Sequence, residues 1–576
     1  MKNEWDYETD FLVAGTGAAG MSAAITANKN GLDVIMVESM DKWGGTTAIS
    51  GGGLWMPNNP LMKRDGVEDS VEEAFAYMKA IIGEPGPWAS DERKLAFLIA
   101  VPDFVNMMAE EGIKWTRAKD YPDYYPDLPG GRIGRGIEVE PFNILKLGKY
   151  RKLIREGGLP LPAKTDDVWL LSRAWSTPGG FIRGARFVFR TIGSLLLGQR
   201  KVGMGAALAS SLMYIVRKRN IPVWLSSPLK ELIVENNRVV GAVIEKEGKT
   251  VRVHARRGVM LAAGGFARNK EWRQKYHGVP GWSSAPEGQL GQGIEVGAKV
   301  GAALGMMDDA WWGATTAHPD GKDQHGFILN ERSDPWSIVV DQQGNRYLNE
   351  SESYIDFGHH MLEHNKEVPC IPSWLVLDHR HTTHFLNTVF ILTPGAKKKL
   401  KKAGELVEAK TLPELAEKMG VNKEVFLETI KRFNEFAREG VDRDFGRGRT
   451  KYDNYYGDPL VKPNPNLGTI EKGPFIAIKI YPGDLGTKGG LVTDEWARVL
   501  RKDGTIIEGL YAAGNNTASV MGHTYPGPGS TIGPASVFGY LGALHAAQPE
   551  GTPFRDVLAK LDAEKKRIKA ATASRA

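Results

Sequence analysis

The chain contains a single cysteine, Cys370, among its 576 residues, so it forms no intrachain disulfide. Iron–sulfur clusters and zinc sites built on several thiolates are excluded for the same reason. The twelve histidines form no HExxH pattern, and we expect no bound metal. A lone cysteine is typical of a reducing compartment, and the acidic segment Met1–Asp10 lacks the features of a secretory signal. We therefore expect a cytoplasmic protein.

Long apolar runs and a strong charge excess are also missing. No stretch of about 20 apolar residues occurs, so we expect no membrane-spanning helix. The 74 basic and 68 acidic residues leave a net charge of only +6. Without an arginine-rich tail or an RNA-binding motif, this excess does not indicate a nucleic-acid partner. The 42% hydrophobic and 25% charged residues are those of an ordinary globular protein.

Glycine, by contrast, is abundant. Its 68 residues are roughly 12% of the chain, against a usual 7% or so. They form clusters without a fixed period. Because glycine has no Cβ to keep a ligand away, such clusters indicate backbone that lies close to a large ligand.

The first cluster has the pattern of a dinucleotide-binding turn. The apolar strand Asp10–Ala14 ends in Gly15, Gly17 and Gly20, and an alanine-rich helix and a second strand follow before Glu38. The first glycine permits a tight turn, the second lets a pyrophosphate approach the backbone, and the third lets helix and strand pack closely. The pyrophosphate then lies at the helix N-terminus, and the acidic residue can accept hydrogen bonds from ribose.

The residues that follow favour a flavin over a nicotinamide. Small residues and hydroxyls in Lys42–Thr47 suit the ribityl chain and diphosphate of a flavin. Two further strand-to-glycine junctions occur, at Ala262–Phe266 and at Ile507–Asn515. A long FAD spans a whole domain and needs several such junctions, so we expect FAD.

Together these motifs resemble the flavoprotein superfamily of fumarate reductase and succinate dehydrogenase. The resemblance also includes Gly293-Ile294 and Thr487–Gly490, and it covers nearly the full length. It implies an α/β fold, α+β overall, in which a Rossmann-like FAD-binding domain is split in sequence. An inserted α+β catalytic domain caps the flavin in this arrangement.

The segment Gly509–Pro549 indicates the branch of the superfamily. Dicarboxylate enzymes need cations to hold two carboxylates, yet no Lys or Arg occurs from Gly509 to Pro549. Such a lining suits a neutral, apolar substrate. The string His523–Pro534, reading HTYPGPGSTIGP, resembles the 3-ketosteroid Δ1-dehydrogenases. So do Asn349–Tyr354, Gly44–Gly53 and the tyrosine-rich Tyr121–Tyr125.

The resemblance also bears on how the flavin is held. Covalent members of the dicarboxylate family attach it through a histidine after the Gly-Gly-Thr region, but residues 44–53 contain no histidine. We therefore expect FAD to bind non-covalently. The expected FAD contacts are Gly15, Gly17, Ala18, Ala19, Gly20, Glu38, Ser39, Gly44, Gly45, Thr46, Thr47, Ser50, Gly51, Gly52, Ala263, Gly264, Gly265, Gly514, Asn515, Thr531 and Ile532.

The catalytic residues are implied by the same resemblance. Tyr525 and Gly529 bind the C3 ketone, since a phenol O–H and a backbone N–H can converge on one carbonyl oxygen. Tyr354 is the base that takes the C2 proton. A free tyrosine has a pKa of about 10, so this base needs an assisting neighbour. Tyr121 is our candidate, although Tyr124 and Tyr125 lie within reach in the sequence.

The expected reaction is FAD-dependent 1,2-desaturation of a 3-ketosteroid, as in steroid ring-A degradation. Desaturation at the C4–C5 bond, a fumarate-reductase-like reaction on another enone or dicarboxylate, and a non-catalytic flavin or sterol carrier are the alternatives. No nicotinamide site is evident, so we expect an external, quinone-like electron acceptor. The oligomeric state is left open.

Residues 143–220 form a basic and apolar insertion. No acidic residue occurs from Phe181 to Asn220, and arginines alternate with apolar runs. The pattern suits either peripheral association with an anionic membrane or a helix pair packed on the flavin domain with a basic outer face. We expect the first part of the FAD-binding domain at 1–312, the catalytic domain at 313–484, and the second part of the FAD-binding domain at 485–576.

Overall fold

The computed structural model describes residues 5–157, 162–165, 167, 171, 174, 177–387, 390, 393–548, 563–568 and 570. Parts of the expected basic insertion, and most of the expected FAD-binding segment beyond residue 548, lie outside these residues. The chain forms two large sheets and several small ones.

The larger sheet has eight strands and a parallel centre. The strand Tyr7–Ala14 pairs in parallel with Val34–Val37 on one side and Lys249–Leu261 on the other, and the latter pairs in parallel with Ile506–Ala512. Their apolar side chains are buried on both faces, as in sheets covered by helices. The other strands are Val223–Trp224, Leu229–Glu235, Arg238–Lys246 and Arg498–Leu500.

Two helices cover one face of this sheet at very short range. Helix Ala18–Lys29 follows the first strand, and helix Ile532–Ala547 packs against it. A Cβ at Gly539 would lie 2.4 Å from the carbonyl oxygen of Ala19, so only glycine permits this approach. Helix Ile532–Ala547, near the end of the described chain, is thereby held against the helix that follows the glycine turn Gly15–Gly20.

The second sheet has seven strands around the long strand Phe475–Thr487. That strand pairs antiparallel with Ala310–Thr316 and with Ser373–Leu377. The expected domain boundaries, 312/313 and 484/485, thus fall inside two paired strands rather than in linkers, and the division into domains stays a prediction. The other strands of this sheet are Trp282–Ser283, Gly326–Phe327, Ser337–Val340 and Leu406–Ala409.

Smaller sheets and further helices complete the fold. The small sheets are formed by Leu54–Trp55, Trp115–Arg117 and Gly136–Val139, by Phe142–Asn143 and Lys201–Val202, and by Leu304–Gly305 and Gly490–Leu491. The remaining α-helices are Gly45–Ile49, Pro60–Arg64, Val71–Ile82, Asp91–Glu110, Pro178–Leu196, Met204–Lys218, Lys270–His277, Gln292–Lys299, Asn330–Ser333, Tyr354–His364, His379–His384, Ala396–Lys402, Leu412–Met419, Lys423–Glu439 and Lys451–Tyr456, with 3-10 turns at Pro87–Ala89, Ile144–Lys152 and Gly514–Asn516.

The fold class predicted from the sequence is confirmed. A mostly parallel α/β sheet receives strands from both ends of the chain, and an α+β part lies between them in sequence. Within the described ranges, none of the helices is both long and apolar enough to cross a bilayer.

Candidate active site

A cavity of about 860 Å³ opens at the carboxyl ends of the parallel strands. Ala14, Val37, Leu261 and Gly514 line it where four of these strands end, which is the usual position of a ligand in such sheets. Most of the expected FAD contacts also line it: Gly15, Gly17, Ala18, Ala19, Glu38, Ser39, Gly45, Thr46, Thr47, Ser50, Gly51, Gly52, Ala263, Gly264, Gly514, Asn515, Thr531 and Ile532.

Three expected contacts lie in the wall behind the cavity surface. A Cβ at Gly20 would lie 2.1 Å from the carbonyl oxygen of Gly15, so this glycine serves the packing of helix on strand. The N–H of Gly44 donates to Thr16 Oγ1 at 3.0 Å, and that of Gly265 donates to Gln289 Oε1 at 2.9 Å. These three glycines therefore pack and hydrogen-bond behind the residues that line the cavity.

The cavity wall fits a large cofactor that approaches the backbone. A Cβ added at Gly17, Gly45 or Gly51 would meet no atom closer than 3.6, 3.9 and 4.0 Å respectively, so the space in front of each is open. Gly17 is also the N-cap of the twelve-residue helix Ala18–Lys29, and the Ala18 N–H donates to the Thr47 hydroxyl at 3.0 Å. The other N–H groups of the first turn and the positive end of the helix dipole suit a pyrophosphate.

Glu38 lies at the end of the second strand, where the ribose of FAD is expected. Its carboxylate accepts hydrogen bonds from the Thr16 N–H (3.1 Å), the Thr16 hydroxyl (2.6 Å) and the Met40 N–H (3.2 Å). The Ser39 hydroxyl, at 3.3 Å, is a fourth donor, so these contacts fill the roughly four lone-pair positions of the carboxylate, and a ribose hydroxyl would have to take the place of Ser39. Thr16 thus orients the carboxylate, a role that the glycine pattern did not indicate.

Buried tyrosines line another part of the same cavity. Tyr354 begins helix Tyr354–His364, and its ring lies edge-on to that of Tyr525 with centroids 4.8 Å apart. The ring of Tyr124 lies 5.3 Å from Tyr354 and stacks on Tyr525 at 5.2 Å. Phe327 packs edge-on to Tyr354 at 5.3 Å. Residues distant in sequence thus form one aromatic cluster at the cavity.

The phenol groups form one hydrogen-bonded chain. Tyr354 is hydrogen-bonded to both Tyr124 and Tyr525. The Tyr124 hydroxyl lies 3.3 Å from that of Tyr121, which is in turn hydrogen-bonded to Tyr456. Tyr124 is therefore the direct neighbour of Tyr354, and Tyr121, chosen from the sequence, lies one step further away. Tyr125 instead bonds Asp356 at 3.0 Å.

Tyr525 and Gly529 do lie together, as the sequence predicted. Gly529 has a φ of +93°, and its Cβ would lie 2.3 Å from the Gly53 carbonyl oxygen, so a tight turn also requires this glycine. The Thr531 hydroxyl donates to the Tyr525 oxygen at 3.1 Å. Burial raises the pKa of Tyr525, while the N–H groups of Thr531 and Gly529 oppose that rise.

Burial also determines how strong a base this cluster can supply. It raises the pKa of both Tyr354 and Tyr124 well above the usual value of a tyrosine. It raises the pKa of Tyr121 to about 12, against the hydrogen bonds of Tyr124 and Tyr456 and the charge of Arg332. Because burial disfavours a phenolate, a base here depends on donors that stabilise its oxygen.

Two contributors were missed by reasoning from the sequence. Arg332 is fully buried and donates to the carbonyl oxygens of Glu350 (2.5 Å) and Glu352 (3.0 Å), which precede Tyr354. Tyr456 extends the phenol chain, and the tyrosine-rich segment Lys451–Tyr456 was the signal for it. Within the described part of the chain, no group of His, Cys, Asp and Glu has the arrangement of a metal site.

Comparisons with known proteins identify the family of the chain. The family described as an FAD binding domain matches residues 10–532. The 3-oxosteroid 1-dehydrogenase of Mycolicibacterium smegmatis is 43% identical over 94% of this chain and 97% of its own length. The 4-oxocyclohex-2-ene-1-carboxylate 5-dehydrogenase of Sinomonas cyclohexanicum is 36% identical over 92% of each chain.

A solved structure is similar as well. It is the 3-ketosteroid delta1-dehydrogenase from Sterolibacterium denitrificans in complex with 1,4-androstadiene-3,17-dione, with a TM-score of 0.88 and 36% identity. The match covers 94% of this chain and 99% of that one. Fold, cavity and family together define an FAD-binding oxidoreductase. More closely, the chain belongs to the family of the 3-oxosteroid 1-dehydrogenases, and its cofactor is FAD.

The open space in front of Gly17 yields a direct test of the FAD site. Its φ of −74° suits any residue, so Gly17→Val should fold, but the added side chain would enter the cavity. Overpacking costs about 1–3 kcal/mol, so we expect the dissociation constant of FAD to rise about 5- to 150-fold. Titration of the apoprotein with FAD, followed by flavin fluorescence, measures it.

Gly179→Val is the matched control, because no atom lies within 4 Å of its Cβ position and it does not line the cavity. Unchanged FAD affinity in Gly17→Val would place the pyrophosphate elsewhere.

Proposed function

We propose that this chain oxidises a 3-ketosteroid to its 1,2-unsaturated product. The observation that carries the proposal is the buried chain of phenols, in which Tyr124, Tyr354 and Tyr525 meet at the FAD cavity beside Gly529. The identity of 43% to a 3-oxosteroid 1-dehydrogenase supports the steroid as substrate.

The carbonyl oxygen of the substrate is received by Tyr525 and Gly529. The Tyr525 oxygen accepts from Thr531, so its own hydrogen can point at a substrate carbonyl. The Gly529 N–H lies against the Tyr525 oxygen, and we propose that it also donates to a carbonyl oxygen bound beside that phenol. Each well-placed donor in such a site is worth about 2.7–4 kcal/mol. Polarisation of the C3 ketone makes the neighbouring C2–H bond acidic.

The C2 proton is then taken by Tyr354. Tyr354 acts as the phenolate, which a hydrogen bond from Tyr124 stabilises before the proton moves. As Tyr354 becomes a neutral phenol, the negative charge passes to the C3 enolate oxygen beside Tyr525 and Gly529. Tyr121 and Tyr456 continue the chain of phenols and spread that effect further from the substrate. We propose Tyr124 as the assisting residue, with Tyr121 acting through it.

FAD, bound non-covalently, supplies the hydride acceptor for the hydrogen that leaves C1. The protein's part is to hold the steroid and the cofactor in one cavity, which the phenols, Phe327 and Pro528 line together. We propose that an external, quinone-like acceptor reoxidises the enzyme.

A smaller cyclic ketone is the second candidate substrate. A relative acting on an oxocyclohexene carboxylate is 36% identical, and the cations Lys42, Arg155 and Lys322 line the cavity along with the tyrosines. A carboxylate needs such a cation. The two candidates therefore differ in size and charge.

Anaerobic reduction of the bound flavin distinguishes these reactions. We expect androstenedione to bleach the flavin absorbance, and 4-oxocyclohexanecarboxylate and succinate to leave it unchanged. Proton NMR of the product should place the new double bond at C1–C2. Bleaching by the carboxylate alone would assign the smaller ketone. Androstenedione already has the C4–C5 double bond, so no bleaching with androstenedione but bleaching with 5α-androstane-3,17-dione would assign the sister desaturase. Bleaching by none of these compounds would contradict the proposal.

The position of each phenol relative to the substrate and to Tyr354 predicts how much turnover its substitution by phenylalanine should cost. Tyr354→Phe removes the base and should lower kcat by about 10²–10⁴-fold. Tyr525→Phe removes a carbonyl donor and should cost about 10²–10³-fold. Tyr124→Phe should lower turnover more than Tyr121→Phe, because of these two phenols only Tyr124 is hydrogen-bonded to the base. Steady-state turnover with a dye acceptor measures all four.

Tyr214→Phe, at a half-exposed phenol outside the cavity, is the control and should retain full turnover. Flavin content should be normal in every variant. Full turnover by Tyr354→Phe would remove Tyr354 as the base.

We infer further that helix Pro178–Leu196 lies on an anionic membrane surface. Its apolar side chains are exposed along one face, with Phe189 at 74% and Leu196 at 83% exposure. Positions seven apart lie on the same side of a helix, so they form one stripe. The stripe comprises Phe181, Ile182, Val188, Phe189, Ile192, Leu195 and Leu196.

Basic residues follow this stripe at the C-terminal end of the helix. Arg200 and Lys201 follow the helix, and the strand Lys201–Val202 pairs with Phe142–Asn143, which leads into the basic turn Ile144–Lys152. Arg183 and Arg190 instead bind Asp167, at 2.7 and 2.8 Å. An exposed apolar stripe next to basic segments suits the surface of an anionic membrane. Apolar steroids also accumulate in membranes.

Vesicle flotation tests this surface. We expect the protein to float with phosphatidylglycerol-containing vesicles at low salt, and not with phosphatidylcholine alone. Phe189→Glu should abolish binding, whereas Val441→Glu, at an exposed apolar residue of the catalytic part, should not. Failure of the wild-type protein to float at low salt would contradict the inference. A dimer that Phe189→Glu dissociates would assign the stripe to a second copy of the chain.

A further inference from the structure

A buried carboxylate outside the cavity binds groups from several segments. Asp309 has a side chain only 3% exposed. Its Oδ1 accepts from Trp312 Nε1 at 2.8 Å and lies 2.9 Å from His359 Nε2. Its Oδ2 lies 2.9 Å from His523 Nδ1 and 3.7 Å from Lys488 Nζ. Both oxygens are thus fully engaged.

Through His359, this cluster around Asp309 includes a residue of the helix that begins at the proposed base, Tyr354. His359 lies five residues after Tyr354, in helix Tyr354–His364. A Cβ at Gly358 would lie 2.3 Å from Trp312 Cβ, so this helix touches the strand that follows Asp309. A shift of His359 would therefore move the start of the helix as well.

The other side belongs to the loop of the proposed carbonyl donor. His523 lies two residues before Tyr525, and Lys488 Nζ donates to the carbonyl oxygen of Thr524 at 2.9 Å. The Lys488 ammonium also lies 4.5 Å from the ring of Trp311, which packs edge-on to Tyr525 at 5.2 Å. The cluster thus contacts the Tyr525 loop through both backbone and rings.

We propose that Asp309 is a positioning residue that holds Tyr354 and Tyr525 at a fixed separation, by binding His359 on one side and His523 with Lys488 on the other. The proposal rests on the roles assigned above to the two tyrosines. Asp309 itself touches neither of them and does not line the cavity. A displacement of about 1 Å at a reacting group can cost about 10²-fold in rate.

The charges of the cluster favour a tight linkage. Burial would raise the pKa of Asp309, but Lys488, His359 and His523 outweigh it and hold that pKa well below its usual range. Burial lowers the pKa of Lys488 to about 8, against the attraction of Asp309. The hydrogen bond to Asp309 raises the pKa of His523. The other titratable groups that act on the cluster are His277, Asp308 and Asp356.

Removal of the carboxylate charge tests the proposal. Asp309→Asn keeps the shape of the side chain, so we expect normal FAD content and an androstenedione dissociation constant within about 3-fold of wild type, while the single-turnover rate of flavin reduction falls about 10–100-fold. Asp503→Asn, the same change at an exposed residue outside the cluster, should leave all three unchanged. If Asp309→Asn fails to fold, His359→Gln should show the same slow reduction.

The protonation of His523 gives a second measurement. Because its pKa is raised in the folded state, its charged contact with Asp309 stabilises the fold fully below the unfolded pKa of about 6.5 and is lost as pH rises through the folded pKa. His523→Gln should therefore lower the melting temperature more at about pH 5.5 than at about pH 8.5. In the Asp309→Asn background this pH dependence should vanish.

The outcomes separate this proposal from the proposed function. Normal flavin reduction in Asp309→Asn and His359→Gln, with slow reduction in Tyr354→Phe, would overturn the positioning role and leave the reaction intact. Parallel losses of FAD, steroid affinity and rate would also overturn it, because they indicate a general structural role. Full turnover by Tyr354→Phe would instead contradict the assignment of the base.

Discussion

The whole site depends on backbone-to-backbone contact between segments that are far apart in sequence. A Cβ at Gly15 would lie 2.2 Å from the Ala262 carbonyl oxygen, and one at Gly529 would lie 2.3 Å from that of Gly53. Side chains cannot occupy such gaps, so glycine is required at these contacts. The second contact brings the loop of Tyr525 against Gly53, so that both line the same cavity.

In the tyrosine cluster, burial works against the proposed chemistry. It raises the pKa of Tyr354, the proposed base, and of Tyr124, its proposed assistant, although both would have to act near neutral pH. Hydrogen bonds from neighbouring phenols are a way to stabilise a buried phenolate without introducing a permanent charge beside an apolar substrate. This explains why the cluster is built from tyrosines, with the cation Arg332 held behind them on backbone carbonyls.

Much of this could be predicted from the sequence, because the glycine junctions are local patterns with local geometric causes. Gly17 and Glu38 lie where their spacing placed them. The assisting phenol could not be found in this way, since the contact of Tyr124 with Tyr354 depends on packing across more than two hundred residues. The strands Ala310–Thr316 and Phe475–Thr487 cross the expected boundaries at 312 and 484, and they pair with each other over a long sequence separation that no local pattern indicates.

The strand Phe475–Thr487 has a consequence for engineering the chain. It is the central strand of the second sheet and runs directly into Lys488, which contacts the Tyr525 loop. The capping part therefore cannot be exchanged between relatives as a self-contained module cut at residue 484. A working chimera has to take this strand and its partner Ala310–Thr316 from the same parent.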